Sequence, residues 1–448
     1  MKRILAVVVA LVLLGAGLWW WGSAERAPAP RRDLPHVVLV VLCSVRADQM
    51  PLYGGAWDTM PFVTDLGDAG LVFGDAVTAA PWTRPAITAI STGHHPGTVG
   101  MLEPRDKRSD RVLPAAVDTL AERLRAAGYY SVGRSANPNI SALFGFDQGF
   151  DDFANLSPRW RDGVHKVRGS DVVDDLLLAF DARPAGRPAF VEAVFIDAHQ
   201  PMTASPVAGA RWREPGEPLR VGRYRAMLRS TDAAVARLFG ALEERGLRDD
   251  NTVFIVVNDH GEGLRFPEHH GKGHGRYLYP STTQMLWVMK GRGVGQGIVP
   301  GLASQVDLMP TLLEHLDLPL PSMDGHSLAR SVADPSHPTG RERAFAATMF
   351  ANTERGAIVS AEAYCLDDFG DGRAELSEAE RGKPVFAPAC YRRDDPAGLE
   401  PVEASELRAE LGRWWEEMVV RSAVWGEDGA SVPDDVSAAL EALGYLGE

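Results

Sequence analysis

The chain of 448 residues carries 46 Lys plus Arg against 60 Asp plus Glu, a net charge of -14, and so lacks the basic surface that non-specific nucleic-acid binding needs. Its 45% hydrophobic content, with 45 Gly and 31 Pro, excludes a disordered, collagenous or coiled-coil chain and supplies a large core. Three cysteines, Cys43, Cys365 and Cys390, are too few for a disulfide scaffold and lack the close pairing of a zinc ribbon.

From the N-terminus, Ile4 to Trp21 form an uninterrupted apolar run after Lys2 and Arg3, ending in Trp19, Trp20 and Trp21. As a helix the run is about 27 Å long, close to the thickness of a bilayer core. Tryptophans suit the membrane interface, whereas Gly22-Ser23-Ala24 offers a cleavage site, so residues 1–24 are expected to be a membrane anchor or a signal peptide. Arg31 and Arg32 follow the run and are misplaced for a twin-arginine export signal. Residues 25–35 resemble a short Pro and Arg-rich linker. Either alternative places the rest of the chain outside the cytoplasm, anchored to the cell membrane by a single pass, or periplasmic or secreted.

His36 to Leu42 is a continuous β-branched run, the pattern of a strand buried on both faces in a parallel sheet. Similar runs recur at Ala189 to Ile196 and Thr252 to Val257, with a helical pattern over Tyr224 to Arg245 before the last. This alternation predicts an α/β doubly wound, mostly parallel sheet flanked by helices, over residues 36–335. Each run ends in a polar cluster: Cys43 to Asp48, Asp197 to Gln200, and Asn258 to Glu262. Ligands bind beyond the carboxyl ends of such strands, so the three clusters are expected to converge on a site. Residues 336–448, Pro-rich and charged with fewer strand-like runs, are expected to form a smaller C-terminal subdomain. In an exported protein its Cys365 and Cys390 can pair, closing a loop of about 25 residues that contributes about 3.5 kcal/mol in the chain-entropy model. Two free thiols are the alternative.

Eight segments resemble the sulfatase branch of the alkaline phosphatase superfamily, and they occur in its order. They are VVLVVLCSVRADQMPLYG, AAPWTRPAITAISTG, GYYSVGRSANPNISALFGFDQGFDDF, FIDAHQPM, TVFIVVNDHGEG, GHGRYLY, VDLMPTLLEHLDLPLPSMDGHSL and the terminal LEALGYLGE. The resemblance implies an alkaline phosphatase-like fold and hydrolysis of anionic sulfate or phosphate esters of a glycan, lipid or small molecule. It also implies one divalent metal, Ca, Mg or Mn. Thr83 matches the nucleophile, Asp259 and His260 match metal ligands, and His199 matches a histidine at the substrate's anionic group or leaving oxygen. Lys272 and His274 compete for one further role, donation to the anion or leaving group, within the cationic stretch His269 to His274.

Three positions depart from the family pattern. Cys43, followed by Ser44, stands where the family places its first metal-binding Asp, and a thiol is a poor ligand for a hard ion. Zinc could use Cys43 with Asp259 and His260, although the usual zinc spacing is missing. Asp48 belongs to the turn. Thr83 replaces the Cys or Ser that many sulfatases convert to formylglycine, so that modification is not expected. Ile87 stands where an Arg or His is usual, leaving Arg84 as the candidate anion-binding group beside the nucleophile. These features leave three readings: a metal-dependent hydrolase, an inactive relative that binds sulfated or phosphorylated glycans or lipids, and a phosphate-group transferase using Thr83.

Overall fold

The computed structural model describes residues 34–102, 109–160, 166–264, 273–350, 353–370, 389–393, 400–425 and 429–443. The N-terminal apolar run, Lys272 and the end of the LEALGYLGE segment lie outside them. No helix among the described residues is long and apolar enough to cross a membrane.

In chain order the strands are β1 (His36–Leu42), β2 (Leu71–Val77), β3 (Ser109–Arg111), β4 (Tyr130–Ser135), β5 (Asp152–Asn155), β6 (Ala189–Phe195), β7 (Thr252–Asn258), β8 (Trp287–Gly291), β9 (Gly297–Ser304), β10 (Ala344–Thr348), β11 (Arg355–Val359), β12 (Ala363–Asp368), β13 (Ala389–Arg392), β14 (Pro401–Val402) and β15 (Gly429–Ser431). The main sheet has the order β5-β4-β6-β1-β7-β8-β2-β9. All its pairs are parallel except those of β8 with β7 and with β2. At its centre β1 pairs with β6 and β7, aligning Val38 with Val191 on one side and Phe254 on the other. Val37 to Leu42 are all buried, so both faces of the strand are covered, which is why it reads as a continuous apolar run without alternation. The longest helix among the described residues, Leu219–Glu244, packs against the helices Gly169–Asp181 and Pro61–Asp68.

Beyond residue 335 the chain is richer in strands than its sequence suggests. Strands β10 to β14 form a five-stranded antiparallel sheet starting at Ala344, and the helix Ser405–Ser422 packs against β11 and β12. These strands are only two to six residues long, so none produces a long apolar run. Cys365 and Cys390 face each other across β12 and β13 and are joined as a disulfide.

Candidate active site

Four strand ends of the main sheet meet at one point, as the rule for open α/β sheets requires. The chain leaves β1 through Cys43 and Ser44, β4 through Asn137, β6 through Asp197 to His199, and β7 through Asp259 and His260. The helix Thr83–Thr92, which follows β2, brings Thr83 as its first residue. The positive end of that helix therefore lies where negative charge would develop on Thr83 Oγ. Deeper in the helix Thr88 and Thr92 are buried, and their hydroxyls bond back to the carbonyls of Arg84 and Thr88. Gln305 fixes two of the arriving segments together, accepting from Ala79 N at 3.0 Å and donating to the Asp259 carbonyl at 2.8 Å.

Thr83, His199, Asp259 and His260 are completely buried. Thr83 Oγ1 lies 3.3 Å from His260 Nε2 and 3.2 Å from Asn137 Nδ2, which also reaches Cys43 Sγ at 3.5 Å. Asn137 Oδ1 accepts from Asn139 N at 3.0 Å, and this fixes the amide with its NH2 towards Thr83. The Gly261 carbonyl, 2.7 Å from His260 Nδ1, can only accept, so Nδ1 carries a proton. A side chain at Gly261 would put a Cβ 2.0 Å from the Ser281 carbonyl, so glycine is obligatory in this turn.

Asp259 Oδ1 accepts from Ser44 N at 2.9 Å and from His260 N at 2.7 Å, while Oδ2 lies 3.3 Å from His260 Nε2. Ser44 reaches its position in the left-handed region, φ 58°, a conformation held by Tyr224, whose hydroxyl donates to the Ser44 carbonyl and accepts from Arg46 N. Burial opposes ionisation of Asp259, but the adjoining His260 and the two N–H donors hold its carboxyl below the usual carboxylate range. Burial also works against a charged His260, and Asp259 overrides it, raising the imidazole above its ordinary value. Cys43 is pushed far up by burial and by the Asp259 charge, so it stands as a thiol.

His199 donates from Nδ1 to the Gln200 carbonyl at 2.6 Å, and burial, followed by the charges of His274 and Lys166, holds it far below the ordinary imidazole value. His274 packs its ring against both His260 and His199, with centroids 4.4 and 4.8 Å apart, and its Nδ1 lies 3.3 Å from Glu262 Oε2. His274 thus joins the cluster, whereas Lys272 lies outside the described residues. Arg84 is turned against Asn139, at 2.8 Å, and over the face of Phe144 at 3.9 Å. Ile87 belongs to the core, and Asp48 pairs with Arg46 in the turn.

Sequence reasoning missed three groups. Asn137 stands at a strand end like the others, but in a segment whose polar residues were not singled out. Glu262 is completely buried against His274. Lys166 donates its ammonium protons to the carbonyls of Ile196, Asp197 and His199, clamping the turn that carries His199. Burial pulls Lys166 down to about 8 against the opposing charges of Asp197, Glu262 and Cys43.

The family profile for sulfatases matches residues 35–318. The chain belongs to the sulfatase family. Human arylsulfatase A is 26% identical over 439 residues, covering 84% of this sulfatase-family chain and 82% of the relative. The multifunctional alkaline phosphatase superfamily protein PehA of Trinickia caryophylli is 35% identical over 115 residues, 25% of this chain and 22% of the relative. Among solved structures, one in complex with its substrate D-glucosamine-2-N,6-O-disulfate superposes with a TM-score of 0.70 at 16% identity, covering 88% of this chain and 99% of the other. The phosphonate monoester hydrolase of Silicibacter pomeroyi gives 0.64 at 17% identity, covering 88% and 96%. At these identities the superpositions establish the fold alone.

Sulfatases typically use a divalent metal, but the donors of this sulfatase-family site do not fit a hard cation. The first carboxylate position is a buried thiol, the next a hydroxyl, and one oxygen of Asp259 is already taken by two backbone N–H groups. Among the described residues, no three or more His, Cys, Asp or Glu side chains are grouped so that they could hold a metal ion.

Proposed function

We propose that this protein is an extracytoplasmic hydrolase of sulfate or phosphate-type monoesters, in which Thr83 attacks the sulfur or phosphorus and carries the group as a covalent intermediate. The observation behind this reading is the position of Thr83 Oγ1 at a helix N-terminus, within 3.3 Å of His260 Nε2 and 3.2 Å of the Asn137 amide. A nucleophilic hydroxyl needs an adjacent acceptor for its proton and donors for developing charge, and this geometry offers both. His199 and His274 adjoin the same point and are assigned to the anion and the leaving oxygen. The arylsulfatase relatives and the phosphonate hydrolase neighbour support the ester class. Export is supported by the Cys365–Cys390 disulfide, which persists in oxidising compartments, and by the Ile4 to Trp21 run.

A second reading, an inactive relative that binds sulfated or phosphorylated glycans or lipids, is favoured by Cys43 and Ser44 at the metal-ligand positions. Turnover separates the two. The purified chain should cleave at least one of 4-nitrophenyl sulfate, 4-nitrophenyl phosphate and 4-nitrophenyl phenylphosphonate, and Thr83→Ala should lower kcat by about 1,000-fold or more. If all three esters survive, the binding reading stands. If Thr83→Ala retains full activity, Thr83 is not the nucleophile.

A further inference from the structure

We propose that Lys166 is the positioning residue for His199, holding the turn from Ile196 to Gln200 so that the imidazole stands in the site against His274. This deepens the assignment of His199 to the ester's anionic group and leaving oxygen, and rests on it. Strand β6 ends at Phe195, and the turn beyond it directs the carbonyls of Ile196, Asp197 and His199 to one point. There the buried Lys166 Nζ donates to all three, at 3.2 Å to Ile196 and 3.0 Å to Asp197. Carbonyls only accept, so three of them call for three N–H donors. The charged ammonium has three, whereas a neutral amine would turn its lone pair against one carbonyl. Burial draws Lys166 down no further than about 8, so the ammonium persists at neutral pH.

The segment that carries Lys166 is itself strapped to the end of β6. Val167 lies in the main core, and Gly169 N donates to Asp197 Oδ1 at 3.1 Å. A Cβ on Gly169 would come within 2.7 Å of Ala234 Cβ and 2.9 Å of Phe195 Cδ1, so the strap lies tight against the strand and the longest helix. On the side of the site, His199 N donates to the Ile196 carbonyl at 3.1 Å and His199 Nδ1 to the Gln200 carbonyl at 2.6 Å. Turn and ring are therefore one unit, and the ring meets that of His274 with centroids 4.8 Å apart. Without the ammonium, the Asp197 and His199 carbonyls lose the donor that gathers them, and the unit is free to shift. A misplacement of 1 Å in a group that acts on the reacting atoms costs about 100-fold in rate, and Lys166 acts on the reaction in this way, through His199.

Four full-length proteins test this: the wild type, Lys166→Met, His199→Ala and the double variant, each assayed on the 4-nitrophenyl ester that the wild type cleaves and on its phenyl counterpart. Lys166→Met should lower kcat by about 100-fold, and the double variant should be no slower than His199→Ala alone. The loss should be greater for the phenyl ester, whose poorer leaving oxygen depends more on His199. If Lys166→Met does not fold, Lys166→Gln, whose amide keeps two N–H donors, takes its place in the cycle with a loss of about tenfold. Deuterium uptake reads the clamp without turnover: the peptide spanning residues 196–203 should exchange about tenfold faster in the lysine variant, with β1 and β7 unchanged. Losses that add in the double variant, equal losses on the two esters, or unchanged exchange over 196–203 overturn the proposal. The two readings fail separately. Ester cleavage by the wild type with unchanged exchange in the variant refutes the clamp and leaves the hydrolase reading intact, whereas faster exchange in a protein whose wild type cleaves no ester does the reverse.

Discussion

Glu192 lies in the middle of β6, a strand buried along its whole length, beside Ser91 and Gln148 at the edge of a small cavity. Burial pushes its carboxyl up to about 7. An acid whose folded value is raised keeps its proton in the folded chain after the unfolded chain has lost it, so stability falls as the pH rises from about 4.5 to about 7. The shift corresponds to about 3 kcal/mol, fully expressed above pH 7. Urea midpoints measured from pH 4 to 8 should show Glu192→Gln lacking this part of the pH dependence and exceeding the wild type at pH 8. Parallel profiles for the two proteins would refute a protonated Glu192. The same contrast between charge and environment explains which site residues could be read in advance. Thr83, Asp259 and His260 stand at strand or helix ends, where sequence pattern and position coincide. Lys166 acts on backbone carbonyls far along the chain, and no side-chain pattern marks such a contact.

At the scale of elements, legibility follows burial. The strands β1, β6 and β7 are covered on both faces and read as continuous apolar runs. Strand β2 contains Gly74 and Asp75 at a shift in its register with β9, and β5 has four half-covered residues, so neither yields a clear period. In the second sheet the disulfide of β12 and β13 is packed with Ile358, Leu407 and Leu411, tying the hairpin to the helix Ser405–Ser422. Its removal in the double variant Cys365→Ala, Cys390→Ala should cost about 3.5 kcal/mol in urea unfolding, from the entropy of a loop of 25 residues. Because the bond lies outside the catalytic cluster, ester hydrolysis under native conditions should stay unchanged. A variant as stable as the wild type would mean that packing alone holds the hairpin.

Over the whole molecule, the charge of -14 makes anion capture a local matter, and the cations near the site are accordingly buried and held: Lys166 by three carbonyls, Arg84 by Asn139 and Phe144. The two sheets are also one folding unit. Val77 and Leu302 of the first pack with Tyr277, Tyr279 and the inward residues Ala346, Val359 and Leu366 of the second in a single apolar cluster. Ala347 N donates to the Ala79 carbonyl at 3.0 Å, Arg393 pairs with Asp75, and Thr348 Oγ1 donates to the Gly275 carbonyl at 2.5 Å, next to His274. Stripping the second sheet would expose Val77, Tyr277, Leu278, Tyr279 and Leu302, at about 2 kcal/mol each. That sum, about 10 kcal/mol, is the size of a domain's whole stability. A chain ended at residue 335 should therefore bind a dye for exposed apolar surface and lack a cooperative thermal transition, while the full chain melts in one step. If the shortened chain instead melts cooperatively near the full chain's temperature, the first sheet folds alone and the cluster between the sheets is only a docking contact.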